Sequence, residues 1–226
     1  MSADGAVAVA GFPQACLPHA GNGLPIEVTL IARLARGAGD ALIEAAAQRQ
    51  REHPGFVDAL DEPSVRIGAL HDRAGDRSTV FSFLVGAAGH PFHRHAGHRM
   101  FTAIAGSGGA RLLFSTADDT AGFVEALCQV RVPADALITV RFGGGTWHRF
   151  LPGQPGCSHP TLFALSCHPD ETGGALTEEQ RDAVATGRAD LPALTELLPA
   201  ELAIEVDGLD LAAIPSIELK LPGGAP

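Results

Sequence analysis

The spacing of apolar residues changes twice along this chain. From Pro25, the residues Val28, Ile31, Leu34 and Ala35 recur at helical spacing, which predicts a helix over 25–35. Gly37-Ala38-Gly39 breaks the pattern. Asp40 is then placed to cap a second helix reaching about Arg51, with Leu42, Ile43 and Ala46 facing inward and His53-Pro54-Gly55 as its stop. From Ser64 to His168 the chain falls into short apolar runs bounded by Gly, Pro and Asp. These predict strands over 65–70, 78–85, 93–105, 110–115, 123–132, 137–142 and 161–166. Hairpin turns are expected at Gly106-Ser107-Gly108-Gly109 and Pro133-Ala134-Asp135. Strands this short and frequent, with no helices between them, indicate an all-β sandwich or barrel.

After Pro169 the helical pattern returns. Thr177 and Gln180 fit a capping box and Gly187 fits the stop. Asp190 is placed to cap a short helix ending before Pro199, and 202–206 and 217–221 read as late strands against the barrel or a second subunit. The expected layout is a flexible Ala-, Gly- and Pro-rich arm over 1–24 and a helical segment over 25–63 packed on or beside the barrel. The barrel itself spans 64–170, and a helical and strand extension covers 171–226.

Size and composition narrow the function classes. At 226 residues the chain suits one generous domain with its own core. Apolar residues make up 46% and charged residues 19%, which argues against disorder. The net charge of −10, with 16 Lys and Arg in no block, gives no footprint for nucleic acid. No basic leader precedes an apolar run, and no uncharged apolar stretch reaches ~18 residues, so a cytoplasmic protein without a membrane partner is expected. Cys16, Cys128, Cys157 and Cys167 form no CxxC pair, which disfavours a structural zinc knuckle and fits reduced thiols.

The candidate chemistry lies in histidines. Residues 90–98 hold His90, His93, His95 and His98. In a strand, His93 and His95 point to one face, and two imidazoles there can share a divalent ion. His148, from a distant strand, would complete a three-histidine pocket with room for water or substrate. Cys167 is a weak lead as a further thiol beside such a site, more often a buried free cysteine. His159 and His168, in loops beside prolines, are expected to be exposed, and the Asp118-Asp119 pair solvated.

His93-Arg94-His95 with Gly106, and Gly145 with His148 after two residues, resemble the two motifs of the cupin superfamily, G-x5-HxH-x3,4-E-x6-G and G-x5-PxG-x2-H-x3-N. The resemblance covers roughly 64–168. It implies a jelly-roll β-barrel, the double-stranded β-helix of RmlC-like proteins, with a metal inside near one end. The departures are Arg99 where the first motif has glutamate, Gly143 where the second has proline, and Pro152 where it has asparagine. Arginine cannot ligate a metal. Either the ion rests on His93, His95 and His148 alone, as in the cupins that resemble diketone- or gentisate-cleaving dioxygenases, or His98 swings in as a fourth ligand. A barrel that has abandoned metal is the third outcome.

The resemblance thus implies a metal-dependent enzyme, a dioxygenase for preference. It would use Fe(II), or else Ni, Mn or Zn, on a small anionic, diketone or aromatic substrate. The alternative is a non-catalytic metal-binding or sensor cupin, and a homodimer is expected in either case. Arg99 is the candidate catalytic residue, holding an anionic oxygen of the substrate. Phe101, on the same face, and Trp147, beside His148, are the candidate substrate contacts, with Phe83 and Phe163 as further wall or core residues. Because ligand histidines must be neutral, metal binding is expected to weaken below about pH 6.5.

Overall fold

The structure is a computed structural model and describes residues 11–19, 23–70, 78–117, 120–168 and 176–221. Asp118-Asp119 and most of the expected N-terminal arm therefore lie outside the described residues.

Eight strands form the barrel: β5 (Ser78–Val85), β6 (His93–His95), β7 (Arg99–Ala105), β8 (Ala110–Ser115), β9 (Leu127–Val132), β10 (Ala136–Phe142), β11 (Trp147–Pro152) and β12 (Leu162–His168). They pair antiparallel from the outside in: β5 with β12, β6 with β11, β7 with β10 and β8 with β9. That nesting defines a jelly roll, a long hairpin rolled into two facing sheets. One sheet runs β5-β12-β7-β10 at its centre and the other β6-β11-β8-β9. Inward positions alternate along each strand, as in the buried Phe101, Ala103 and Ala105 of β7 and Ile138, Val140 and Phe142 of β10. Each such large side chain contributes roughly 1.5–3 kcal/mol on burial.

This nesting corrects the expected turns. Gly106–Gly109 joins β7 to β8, and Pro133-Ala134-Asp135 joins β9 to β10, so both carry the chain from one sheet to the other and neither closes a hairpin. The expected strand 93–105 breaks for the same reason. β6 belongs to one sheet and β7 to the other, and the chain crosses at residues 96–98. The expected strand at 123 begins only at Leu127, because Phe123 sits in a turn with its ring fully buried.

The terminal segments add strands to this frame. β1 (Gln14–Leu17) and β2 (Ile26–Arg33) extend the first sheet beyond β10. The expected helix at 25–35 is thus a strand, and the strand β1 lies in the expected arm. Ile26, Val28 and Leu30 alternate into the core, and β-branched residues fit a pleat better than a helix. β3 (Phe56–Val57) and β4 (Ser64–Leu70) extend the same sheet beyond β5. On the other sheet, β13 (Thr195–Leu197) pairs with β6, and β14 (Ser216–Glu218) runs parallel to β9.

Helices cover the outer faces. α1 (Ala38–Glu52) lays Ile43 and Ala47 on Leu84, Ile104 and Phe163. Its cap is Asp135, 98 residues from Gly37 in sequence, not the expected Asp40. The buried Asp135 carboxylate accepts from Gly37 N at 3.0 Å and Gly39 N at 2.9 Å. Asp40 instead accepts from the Ser107 amide at 2.8 Å. α2 (Glu178–Ala185) begins with the expected Thr177–Gln180 capping box. Asp190 Oδ1 accepts from Ala193 N at 2.9 Å, capping a single turn of 3-10 helix (Pro192–Leu194). α3 (Ala200–Asp207) replaces the expected strand at 202–206, starting after Pro199 and packing Val206 on Phe92, Phe123 and Trp147. No helix among the described residues is long and apolar enough to cross a membrane.

Candidate metal centre

β6 and β11 bring three imidazoles together. His93 lies directly opposite His148 in the β6–β11 pairing, and His95 is two residues further on the same face. Candidate ligand nitrogens of His93, His95 and His148 all lie within 4.8 Å of one another. All three side chains are buried.

Backbone carbonyls set which nitrogen faces the centre. His93 Nδ1 is 3.1 Å from the Pro91 carbonyl, His95 Nδ1 3.0 Å from that of Leu194, and His148 Nδ1 3.0 Å from that of Thr146. A carbonyl only accepts, so each Nδ1 carries the proton and each Nε2 keeps its lone pair. That is the outer hydrogen bond metal-bound histidines make. His93 Nε2 is buried with no hydrogen-bond partner, a donor atom without a ligand. The donor set therefore fits a divalent metal ion. Thr195 Oγ1, itself donating to the Leu191 carbonyl, stands 3.5 Å from His95 Nδ1, so the C-terminal extension helps hold a ligand.

Burial also keeps these rings neutral. Desolvation lowers His93 from 6.5 to about 4 and holds His95 and His148 well below their ordinary value, with nearby positive charge adding to the effect. This revises the expected pH dependence. Burial moves the pH at which a proton would compete for His93 down from 6.5 toward about 4.

The opposite wall comes from the other sheet. Arg99 and Phe101 of β7, Phe83 of β5 and Ser166 and His168 of β12 line one cavity with His95 and His148, closed by Phe142, Phe150, Leu191 and Glu62. The open space between them is about that of a water molecule. The buried Arg99 donates from Nη1 to the His98 carbonyl at 3.0 Å. Its charge lowers the proton affinity of His93, His95, His148 and His168.

Several expectations change here. His98 lies outside the three-histidine group, and its Nδ1 accepts the Gly144 amide at 2.9 Å. Gly145 N donates to the His95 carbonyl at 2.7 Å, so the glycine turn is laced to the 96–98 crossing. A Cβ at Gly144 would run into the Ala96 carbonyl, which explains glycine there. Trp147 turns away from the cavity into the outer core with Phe92 and Phe123, beneath the Arg94 guanidinium at 4.4 Å. It is a packing residue, since it alternates with His148 along β11. Phe163 likewise faces outward under α1. Cys167 lies between the inward Ser166 and His168 and so belongs to the other face. His159 is exposed, as expected, but His168 is buried in the cavity wall, its ring 6.2 Å from that of His95. β12 runs two residues past its expected end, and alternation from Ser166 carries His168 inward.

Glu62 carried no sequence signal, and His90 stood out only as one of the four histidines in 90–98. His90 is structural: Nδ1 donates to the Pro91 carbonyl at 2.9 Å and Nε2 accepts the Phe150 amide at 3.1 Å. Glu62 is buried with Oε2 3.7 Å from His93 Nε2. Burial raises its carboxyl to about 8, against the lowering effect of Arg99. With His93 held neutral, this close pair is an uncharged one near pH 7. Leu60 and Asp61 both have φ of 56°, and Glu62 N donates to the Ala59 carbonyl at 3.0 Å. Left-handed backbone at leucine costs about 1–3 kcal/mol, a strain this turn holds while Glu62 faces inward.

No protein-family model and no curated protein matches the chain. Among solved structures, the chain is similar to a hypothetical protein from Leishmania major at 11% identity and a TM-score of 0.45, over 72% of this chain and 90% of that one. It is also similar to the capsular polysaccharide assembling protein CapF from Staphylococcus aureus at 14% and 0.36, over 64% of this chain but only 34% of CapF. A third likeness is to the Schizosaccharomyces pombe Cnp3 cupin domain at 10% and 0.32, over 63% and 81%. Eight strands nested first to last form a jelly roll, and His93, His95 and His148 converge inside it as a group that could hold a metal ion.

Proposed function

We propose that this chain is a metal-dependent oxidoreductase of the dioxygenase type, using Fe(II) and acting on a small anionic substrate. One observation carries the reading: three buried imidazoles converge, and two of them, His95 and His148, line one cavity with the buried Arg99. His93, His95 and His148 would hold the ion. When bound, it would supply a Lewis-acid and redox centre with positions open to substrate and dioxygen.

The chain's own residues do the rest. The Nδ1 hydrogen bonds keep the ligand rings in register and their tautomers fixed. Arg99 supplies the positive charge that draws an anionic oxygen into the cavity and offers a planar fork to hold it. Phe83, Phe101, Phe142 and Phe150 exclude water and strengthen that attraction. The small open space restricts the substrate to a few atoms beside the ion, or requires the Leu191 side to give way.

That same small space favours the alternative, a non-catalytic metal-binding or sensor protein. Dioxygen uptake by the iron-loaded chain against small carboxylates, enolisable diketones, catechols and gentisate-like acids separates the two. Uptake that needs one class of substrate and disappears in Arg99→Gln supports the enzyme. One tightly held equivalent of metal with no uptake across the panel overturns it in favour of the sensor.

A further inference from the structure

The cavity contains a carboxylate that the histidine pattern does not account for. We propose that Glu62 is a fourth donor to the ion held by His93, His95 and His148, supplied from the turn at residues 59–62 because position 99 is occupied by arginine. The inference rests on the metal-binding reading of the three histidines.

The first support is distance. Glu62 Oε2 lies 3.7 Å from His93 Nε2, the nitrogen left free by the Pro91 hydrogen bond. Two donors each about 2.1 Å from one ion lie roughly 3–4.2 Å apart. Among the described residues the tight group comprises the histidines alone, so Glu62 would have to turn toward the ion to join them. The second support is charge. Arg99 lines the same cavity, and a guanidinium beside a dication is repelled unless an anion stands with them. Glu62 is the only carboxylate among the described residues lining it; neutral without the ion, it would release its proton on binding it. The third is backbone. Two successive left-handed residues, one of them leucine, bring Glu62 into the interior, where a solvated glutamate would need no such turn. With Glu62 as a donor, His93, His95, His148 and Glu62 would hold the ion, and Arg99 would remain to hold an anionic oxygen of the substrate.

The test is cobalt(II) titration of the metal-free full chain, reading affinity by chelator competition and coordination by visible ligand-field absorption. Compared with wild type, Glu62→Gln should bind at least about 10-fold more weakly with a changed absorption band, because a neutral amide replaces an anionic donor. Glu62→Gln/Arg99→Glu, which returns a carboxylate to the cavity from β7, should recover most of that loss. Wild-type affinity and spectrum in Glu62→Gln overturn the proposal while leaving the three-histidine site standing. Absence of cobalt uptake by wild type overturns the histidine reading itself. If Glu62→Gln does not fold, Glu62→Asp decides: weaker binding supports the proposal and unchanged binding overturns it.

Discussion

The two walls of the cavity are built on different principles. On the β6–β11 wall, three imidazoles share one chemistry, each neutral and each fixed by a backbone carbonyl. The facing wall mixes Arg99, Ser166 and His168 with phenylalanines, and Glu62 reaches in from a loop. The first wall is pre-organised for a cation and needs no partner to stay in place. The second holds a permanent positive charge in an apolar setting, which favours an anion. A site for a metal and an anionic ligand together needs both, and the separation of the two chemistries onto two sheets lets each vary without dismantling the other.

The largest break in this comparison comes from the first wall. His148→Ala removes one donor and leaves two, so stoichiometric metal uptake should be lost, an effect larger than the 10- to 100-fold typical of an outer partner. Elemental analysis of the variant after reconstitution checks it, and a full equivalent of retained metal would show that the ion binds elsewhere.

The next effect is on stability of the metal-free chain. Burial holds His93 at about 4 and His90, His95, His148 and His168 well below 6.5. Between 6.5 and the folded values, the unfolded chain takes up protons that the folded chain refuses. Stability therefore falls as pH drops from about 6.5 toward 4, and this loss is absent above 6.5. Glu62 has the opposite sign: raised to about 8, its contribution is present below 4.5 and lost as pH rises through 8. Five histidines against one carboxylate should make the acid side dominate, with the melting temperature several degrees lower at pH 5 than at pH 7. A flat melting profile over that range would mean the rings are solvated.

The facing wall gives a smaller, opposite change. Arg99→Gln removes a cation from the same cavity, so metal should bind about tenfold more tightly, ~1.4 kcal/mol, while any anionic ligand binds more weakly. Titration of cobalt(II) with and without a small carboxylate reads both arms. Equal metal affinity in the variant would place the guanidinium too far away to matter.

The two walls also differed in how well the sequence disclosed them. His93, His95 and His148 are legible because strand alternation and a glycine turn are local rules. Arg99 and Phe101 follow from the same alternation along β7. Glu62 is not legible, since a left-handed turn at Leu60-Asp61 has no residue signature and sets the direction of the next side chain. The barrel strands were readable from period-two runs, but which strands pair depends on contacts tens of residues apart, so sheet crossings at 106–109 and 133–135 looked like hairpins. Residues 26–34 satisfy both periods. Val28, Ile31 and Leu34 suit a helix and Ile26, Val28 and Leu30 a strand, and the open edge of β10 decides. The strand-like 202–206 became α3 for the converse reason, an outer face of the barrel that a helix covers.

The smallest expected effect tests whether the histidine wall is independent of the core behind it. Trp147 shares β11 with His148 but points outward, stacked under Arg94 at 4.4 Å and against Phe123 at 6.2 Å. Its buried Nε1 has no hydrogen-bond partner. Trp147→Phe removes that unsatisfied donor while losing ring area and part of the cation–π contact, so the two changes partly offset and stability should fall by only ~1 kcal/mol. His148 keeps its Thr146 carbonyl, because that bond is made by backbone, so cobalt(II) affinity should stay within about twofold, below ~0.4 kcal/mol. Denaturant unfolding and metal titration on one preparation read both values. A tenfold loss of metal affinity in Trp147→Phe would show that the outer core sets the position of His148, and that the two faces of β11 act as one unit.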